Sequence, residues 1–341
     1  MSSTTTKTDY AISMASVQAA AERINGFAHR TPVLTCHALE TIAAGESGAP
    51  KRLFFKNLQK VGAFKYRGAL NAVKKYLQEK KEKGEKTDTT FVTHSSGNHG
   101  QALALAARDA NCKAVIVMPN NSPSVKQNAV RGYGAEVKLC APTNEAREKA
   151  ANEVVEATGA RFVHPSNDPD VMNGQGTVAL ELLEQAKEYG VELDAIIVPI
   201  GGAGLCSGVA MAAKSVQPGI KVFAVEPTGA ADAYNSFQKH ELMGHTGPIN
   251  TVADGLRTTL GDNNWPVVRD LVDEILLVSD DEIVSAMKLI WERMKLVVEP
   301  SGAVATAAVL AHKLPAGITN VGVVFSGGNV DLEKLPWAQK A

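Results

Sequence analysis

Residues 195–213 carry no charged side chain and are long enough to imitate a membrane span. Pro199 and the glycines at 201, 202, 204 and 208 rule out one continuous helix. The stretch resolves instead into a buried strand, Ala195–Pro199, a glycine turn, and a small-residue helix over 206–216. A strand that feeds a helix through a glycine turn belongs to parallel-sheet architecture, and the rest of the chain repeats that grammar.

Strands are predicted at Phe91–His94, Ala114–Met118, Glu136–Cys140, Arg161–His164, Lys221–Glu226, Glu274–Val278 and Val321–Ser326. Amphipathic stretches at 98–110, 124–133, 144–158, 170–188 and 280–296 alternate with them. The fold class is therefore α/β, and 341 residues suggest two domains of ordinary size. Ligands of such sheets sit outside the carboxyl ends of the strands. Three chemically loaded loops follow strands: Ser95–His99, Gly201–Gly204 and Gly327–Asn329.

The 35 basic and 36 acidic residues leave a net charge of −1, which offers no electrostatic argument for nucleic acid or an anionic membrane. The mixed-sign run 78–86 reads as a solvated helix end and loop. Cys36, Cys112, Cys140 and Cys206 show no CxxC spacing and fit a reducing, cytoplasmic compartment. Met1–Lys7 lacks the apolar core of a secretory signal and reads as a disordered tail.

The chemistry starts at Gly62-Ala63-Phe64-Lys65-Tyr66-Arg67-Gly68-Ala69. A lysine in apolar surroundings has a lowered pKa and a nucleophilic neutral amine. Taken alone, Lys65 would read as a surface lysine with a buried stem. The turn Ile200-Gly201-Gly202-Ala203-Gly204-Leu205 changes that, because a glycine turn opening a helix holds phosphate with backbone N–H groups. Its GGAG spacing is not the GxGxxG of a dinucleotide site. An aldehyde with a phosphate handle, pyridoxal phosphate, uses both features. Ser95-Ser96-Gly97-Asn98-His99 at a helix start suits a carboxylate, or is an ordinary serine cap. Glu226 and Asp232 place two carboxylates across a turn, and hard cations take such oxygens. Helix capping by Asp232 is the plainer reading of that turn, as capping by Ser301 is of Glu299-Pro300-Ser301.

Together these motifs resemble the fold type II pyridoxal-phosphate enzymes, the tryptophan-synthase-β-like superfamily. The quoted residues are GAFKYRGA, THSSGNHGQA, HPSND with GQGT, GGAGL, EP…AAD, ADGL, WERMKLVVEPSGA and SGGNVDL, spread over about residues 16 to 335. The branch with serine racemases and serine/threonine dehydratases is the most similar. That resemblance implies two open, mostly parallel twisted sheets flanked by helices, with pyridoxal phosphate between a large domain (1–80 and 167–341) and a small one (81–166). It implies Lys65 as the Schiff-base lysine, Phe64 on the ring, Asn98 at the phenolic oxygen, Gly201, Gly202, Ala203, Gly204 and Leu205 at the phosphate, and Ser326 at the pyridine nitrogen. Ser95, Ser96, His99 and Arg147 would hold the substrate carboxylate, and Ser96 would also be the second catalytic acid–base group. Glu226, Asp232 and the Ala230 carbonyl would bind Mg²⁺ or Ca²⁺. Gln101, Lys126, Tyr133, Lys295 and Asn329 match a nucleotide site for ATP as an effector.

The same resemblance implies a homodimer acting on a small amino acid. The expected reaction is two-base serine racemisation with β-elimination to pyruvate and ammonia. The alternative is an ammonia-lyase for threonine, serine or threo-3-hydroxyaspartate. Ala203, Ser166 and Thr258-Thr259 depart from the usual pattern.

Overall fold

The computed structural model describes residues 9–45, 51–56, 58–95, 97–122 and 124–338. Met1–Lys7 and Ser96 lie outside the described residues. Among the described residues, ten strands run β1 (Val33–Leu34), β2 (Arg52–Lys56), β3 (Thr90–His94), β4 (Lys113–Pro119), β5 (Glu136–Cys140), β6 (Arg161–Phe162), β7 (Ala195–Pro199), β8 (Lys221–Pro227), β9 (Glu274–Val278) and β10 (Asn320–Val324). Twelve helices run α1 (Met14–Ile24), α2 (His37–Ala44), α3 (Lys65–Glu82), α4 (Asn98–Asp109), α5 (Ser124–Gly132), α6 (Asn144–Thr158), α7 (Pro169–Glu188), α8 (Gly204–Val216), α9 (Asp232–Lys239), α10 (Trp265–Leu271), α11 (Asp280–Met294) and α12 (Pro300–Leu310).

The strands form two sheets. One has the order β1-β2-β10-β7-β8-β9 and is parallel except for the short edge pair β1–β2. The other, β5-β4-β3-β6, is wholly parallel. Strands buried on both faces read as unbroken apolar runs. Ile196 and Val198 enter one core with Phe54, while Ala195 and Ile197 enter the core on the opposite face with Leu53 and Phe55. That is why 195–199 looks like a membrane segment in sequence. Among the described residues, no helix is long and apolar enough to cross a membrane.

Helix boundaries follow local chemistry. Ser279 and Glu282 form a capping box at α11, Thr143 caps α6, and Asp168 followed by Pro169 opens α7. Gly159 ends α6 in the left-handed region. The glycines of GQGT pack helices rather than line the site. A Cβ on Gly174 would lie 2.6 Å from the Arg67 carbonyl on α3, and one on Gly176 would lie 2.8 Å from the Gly208 carbonyl on α8.

The predicted strands Glu136–Cys140, Ala195–Pro199 and Glu274–Val278 appear with the expected ends, the other five have shifted ends, and β10 stops two residues short of Ser326. The elements up to α3, and also α9, α10 and α12, go beyond the sequence pattern. In β2, Lys56 is buried and meets Glu181 at 2.7 Å, while Arg67 reaches the same carboxylate at 2.6 Å. Burial lowers the Lys56 amine to about 8 against the raising influence of Glu181. This ion cluster ties β2, α3 and α7 together behind the site.

Candidate active site

Lys65 is the first residue of α3. The preceding 3₁₀ turn, Lys60–Gly62, puts Val61 and Gly62 at positive φ. Ala63 then bridges to Gly327, the Phe64 N–H donates to the Ser326 carbonyl at 3.1 Å, and the Gly328 N–H donates to the Gly62 carbonyl at 2.9 Å. These backbone bonds pin the lysine loop to the end of β10. The Lys65 amine donates to the Pro165 carbonyl at 2.7 Å and sits 5.0 Å from the centre of the Phe64 ring. Desolvation lowers this amine from 10.5 to about 8.

Pro165 leads into Ser166, which faces the glycine turn. A Cβ on Gly202 would lie 2.3 Å from Ser166 Oγ, and one on Gly204 would lie 2.6 Å from the Ser166 carbonyl. Ala203 is left-handed at φ 64°, ψ 2°, a strained state for a residue with a Cβ, costing ~1–2 kcal/mol. The turn opens α8 directly, so its first N–H groups point outward as an anion cradle. Ser166 Oγ is buried beside that cradle with no hydrogen-bond partner. An unpartnered hydroxyl next to a glycine-rich cradle fits a phosphate group.

Asn98 opens α4 and is held from two sides. Its Nδ2 donates to Glu299 Oε1 at 2.7 Å, and its Oδ1 accepts from Asn329 Nδ2 at 2.8 Å. One Nδ2 hydrogen stays available for a ligand oxygen. Glu299 is the N-cap residue of α12, yet its side chain makes no cap bond and turns to Asn98. Burial pushes its carboxyl up to about 8, with Asp254 adding to the rise. Ser301 does not cap α12. Its Oγ accepts from the Gly255 N–H and its carbonyl accepts from Ser326 Oγ at 3.2 Å.

Two imidazoles, His99 and His164, feel the charge of Lys65, and His94 neighbours His164. His164 Nδ1 accepts from the N–H groups of Ser166 and Asn167, and burial, then His94 and Lys65, push it down to about 4. The His94 and His164 ring centres are 6.0 Å apart. His99 Nε2 meets the Val163 carbonyl at 3.2 Å, so Nε2 carries the hydrogen. Burial keeps this ring neutral, and its buried Nδ1 has no partner. A bare Nδ1 offers a carboxylate no donor, so His99 can hold one only through its backbone N–H at the start of α4. Arg147, on α6, acts electrostatically on His94, and its buried Nε has no partner. Ser95 Oγ accepts from the Gly97 N–H at 3.3 Å. Leu205 is buried in the first turn of α8.

Glu226, at the end of β8, accepts from the N–H groups of Ala233 and Tyr234 at 3.0 and 2.8 Å. Its carboxyl is pushed up to about 9, first by burial and then by Asp232, and burial also raises Asp232. Asp232 Oδ2 accepts from the Leu260 N–H at 2.7 Å, while Oδ1 is buried without a hydrogen-bond partner. Ala230 is buried in the turn between them. Among the described residues no three His, Cys, Asp or Glu side chains form a ready-made metal centre.

The nucleotide set is dispersed in its contacts. Lys126 pairs with Asp254 at 2.9 Å, Lys295 donates to the Glu292 carbonyl, Tyr133 lies under Arg108, and Gln101 is buried in α4. Asn329 is engaged by Asn98 and the Val61 carbonyl. Sequence reasoning gave no site role to Glu299, His94 or His164. Each stands at a strand end or helix start within a quoted motif, which is the signal that marked Ser95 and Asn98.

The family model "Pyridoxal-phosphate dependent enzyme" matches residues 24–327. The chain is 45% identical over 329 residues to "Serine racemase" of Dictyostelium discoideum, covering 95% of this chain and 97% of that protein. The solved structure of maize serine racemase superposes with a TM-score of 0.88 at 43% identity, covering 97% of each chain. The solved processed form of threonine deaminase isoform 2 from Solanum lycopersicum gives a TM-score of 0.83 at 31% identity, covering 94% of this chain and 90% of that one.

Proposed function

The chain belongs to the pyridoxal-phosphate dependent enzymes, and we propose that it interconverts L- and D-serine and also eliminates water from serine, giving pyruvate and ammonia. What supports this reading is that the Lys65 amine reaches the Pro165 carbonyl, next to Ser166 at the Gly201–Gly204 turn, and that the lysine loop bonds to residues 326–328 beside Asn98, on a chain that matches serine racemases over nearly its whole length. Bound at Lys65, pyridoxal phosphate would supply an aldehyde for the amine and a ring that delocalises the electrons left at Cα.

This chain's residues do the rest. The backbone N–H groups of 201–205 and the Ser166 hydroxyl hold the phosphate. The free Nδ2 hydrogen of Asn98 holds the ring's phenolic oxygen, with Glu299 and Asn329 fixing the amide. Ser326 meets the pyridine nitrogen as a neutral hydroxyl. Ser95, the α4 N-terminus and Arg147 bind the substrate carboxylate. Burial gives Lys65 a neutral amine near pH 8, so it can take the Cα proton on its own face. Ser96 works the opposite face. That role enters with the resemblance, since Ser96 lies outside the described residues.

Residues 81–166, which hold the four-stranded sheet, form the small domain that closes over the substrate, and 1–80 with 167–341 form the large one. Glu226, Asp232 and the Ala230 carbonyl hold a divalent cation, a reading supported by the buried Asp232 Oδ1, which receives no hydrogen bond. ATP as an effector, homodimer assembly and a cytoplasmic setting enter with the resemblance. The test is a substrate panel assayed for both products. L-serine should yield D-serine and pyruvate together. Keto acid with no inverted amino acid would replace this reading with an ammonia-lyase.

A further inference from the structure

Asp232 and His245 face each other where the loop after α9 folds back. His245 Nδ1 lies 3.4 Å from Asp232 Oδ1. The other ring nitrogen, Nε2, lies 3.2 Å from the Arg257 carbonyl. A carbonyl only accepts, so a hydrogen on Nε2 serves that contact, and in the tautomer with its hydrogen there Nδ1 presents a lone pair on the Asp232 side. Asp232 is 1% exposed and its Oδ1 receives no hydrogen bond. Two electron pairs thus converge in a buried place, beside the carboxylate of Glu226. Two donors each about 2.1 Å from one ion stand about 3.0–3.4 Å apart at octahedral to tetrahedral angles.

We propose that His245 is a ligand of the divalent cation, adding an imidazole nitrogen to the oxygens of Asp232, Glu226 and Ala230. The inference rests on the cation reading above and narrows it. An imidazole donor moves preference away from Ca²⁺ and toward first-row ions such as Mn²⁺, which accept mixed nitrogen and oxygen donors. It also gives the ion a structural reach. His245 belongs to the segment that leads to Leu256, whose backbone packs against the phosphate turn, since a Cβ on Gly201 would lie 2.9 Å from Leu256 Cα. An ion bridging Asp232 and His245 therefore braces the wall behind the cradle.

The test uses the full-length holoenzyme, stripped by chelation and reloaded with Mn²⁺ alone. Pulsed electron paramagnetic resonance should show nitrogen modulation from a directly bound imidazole. That modulation should disappear in His245→Ala and His245→Gln, with Mn²⁺ affinity falling ~10-fold or more. The paired variants guard against one that fails to fold, and the nitrogen signal of the parent needs no variant. Stoichiometric Mn²⁺ without nitrogen modulation, and with affinity unchanged in both variants, would remove His245 as a ligand and leave the cation site standing. No Mn²⁺ bound by the parent, by elemental analysis, would remove the cation reading and this inference with it.

Discussion

Glu299 Oε1 lies 2.7 Å from Asn98 Nδ2, so a buried carboxyl on α12 sets the orientation of the amide that opens α4. The side chains are 201 positions apart in sequence and join the two sheets at the site. With its carboxyl pushed up to about 8, Glu299 is largely neutral at pH 7 and accepts from Asn98 without bringing a full negative charge beside the cofactor's ring.

Replacing that carboxyl separates geometry from charge. Glu299→Gln should keep the acceptor and most of the cofactor affinity, whereas Glu299→Ala should weaken cofactor binding by ~1–3 kcal/mol because Asn98 loses its anchor. The titration has a stability consequence. The folded pKa is raised above the ordinary 4.5, so the contribution is fully present below pH 4.5 and is lost as pH rises to about 8. The melting-temperature difference between the parent and Glu299→Gln should shrink or reverse across that window and then level off. Parallel curves from pH 4.5 to 8 would contradict a raised Glu299.

Lys65 gives the second expectation. Only the neutral amine attacks an aldehyde, and burial brings its pKa from 10.5 to about 8. At pH 7 the neutral fraction is about 300-fold greater than for an unshifted lysine. Capture of pyridoxal phosphate by stripped protein, followed by absorbance, should rise with pH and plateau just above 8. Borohydride reduction and peptide mapping should place the label on Lys65. A rate still climbing at pH 10, or label on another lysine, would overturn the assignment.

Much of this was legible from residue order, and the exceptions share a cause. The strands that carry the loops, and the loops themselves, announce themselves through apolar runs followed by glycine, serine or asparagine. The elements around Lys56 do not. Arg52–Lys56 is short and charged at both ends, and Lys56 becomes an interior residue only because Glu181, far along the chain, arrives to neutralise it. Glu299 hides for a similar reason. In Glu299-Pro300-Ser301 the plain reading gives the cap to Ser301 and leaves the carboxylate without a role, and only tertiary packing turns Glu299 toward Asn98. His245 sits in an irregular loop with no periodic signal at all.

The phosphate cradle is tested by filling it. Gly202→Ala puts a Cβ 2.3 Å from Ser166 Oγ, so either Ser166 or the turn must shift. Cofactor affinity should fall ~10-fold or more, and adding Ser166→Gly should recover part of the loss. Gly219→Ala has nothing within 4 Å and serves as the control. Equal cofactor content in all three would show that the turn does not carry the phosphate.

The buried ion cluster predicts a stability effect distinct from any loss of chemistry. Glu181 holds both Lys56 and Arg67, so Glu181→Gln leaves two interior cations sharing a neutral acceptor. Removing one partner of such a buried cluster costs ~3–5 kcal/mol. Denaturant unfolding of the cofactor-loaded protein should move accordingly, and a change below about 1 kcal/mol would mean that solvent reaches the cluster.

Ser96 separates racemisation from elimination. Inverting Cα needs proton transfer on both faces of a planar carbon, and Lys65, fixed by its loop to the end of β10, reaches one of them. Elimination from L-serine needs only the lysine-side proton removal, with the departing hydroxyl protonated nearby. Ser96→Ala should therefore lose L-to-D conversion by ~10²–10⁴-fold, the usual contribution of a positioned acid–base group, while sparing much of the pyruvate formation from L-serine. Elimination from D-serine should fall as well, because its Cα proton points to the Ser96 face. Chiral chromatography and a pyruvate assay on the same samples give both rates. Undiminished racemisation by Ser96→Ala would remove Ser96 from the mechanism and require another acid on that face, with His94, His99 and His164 the groups to substitute next.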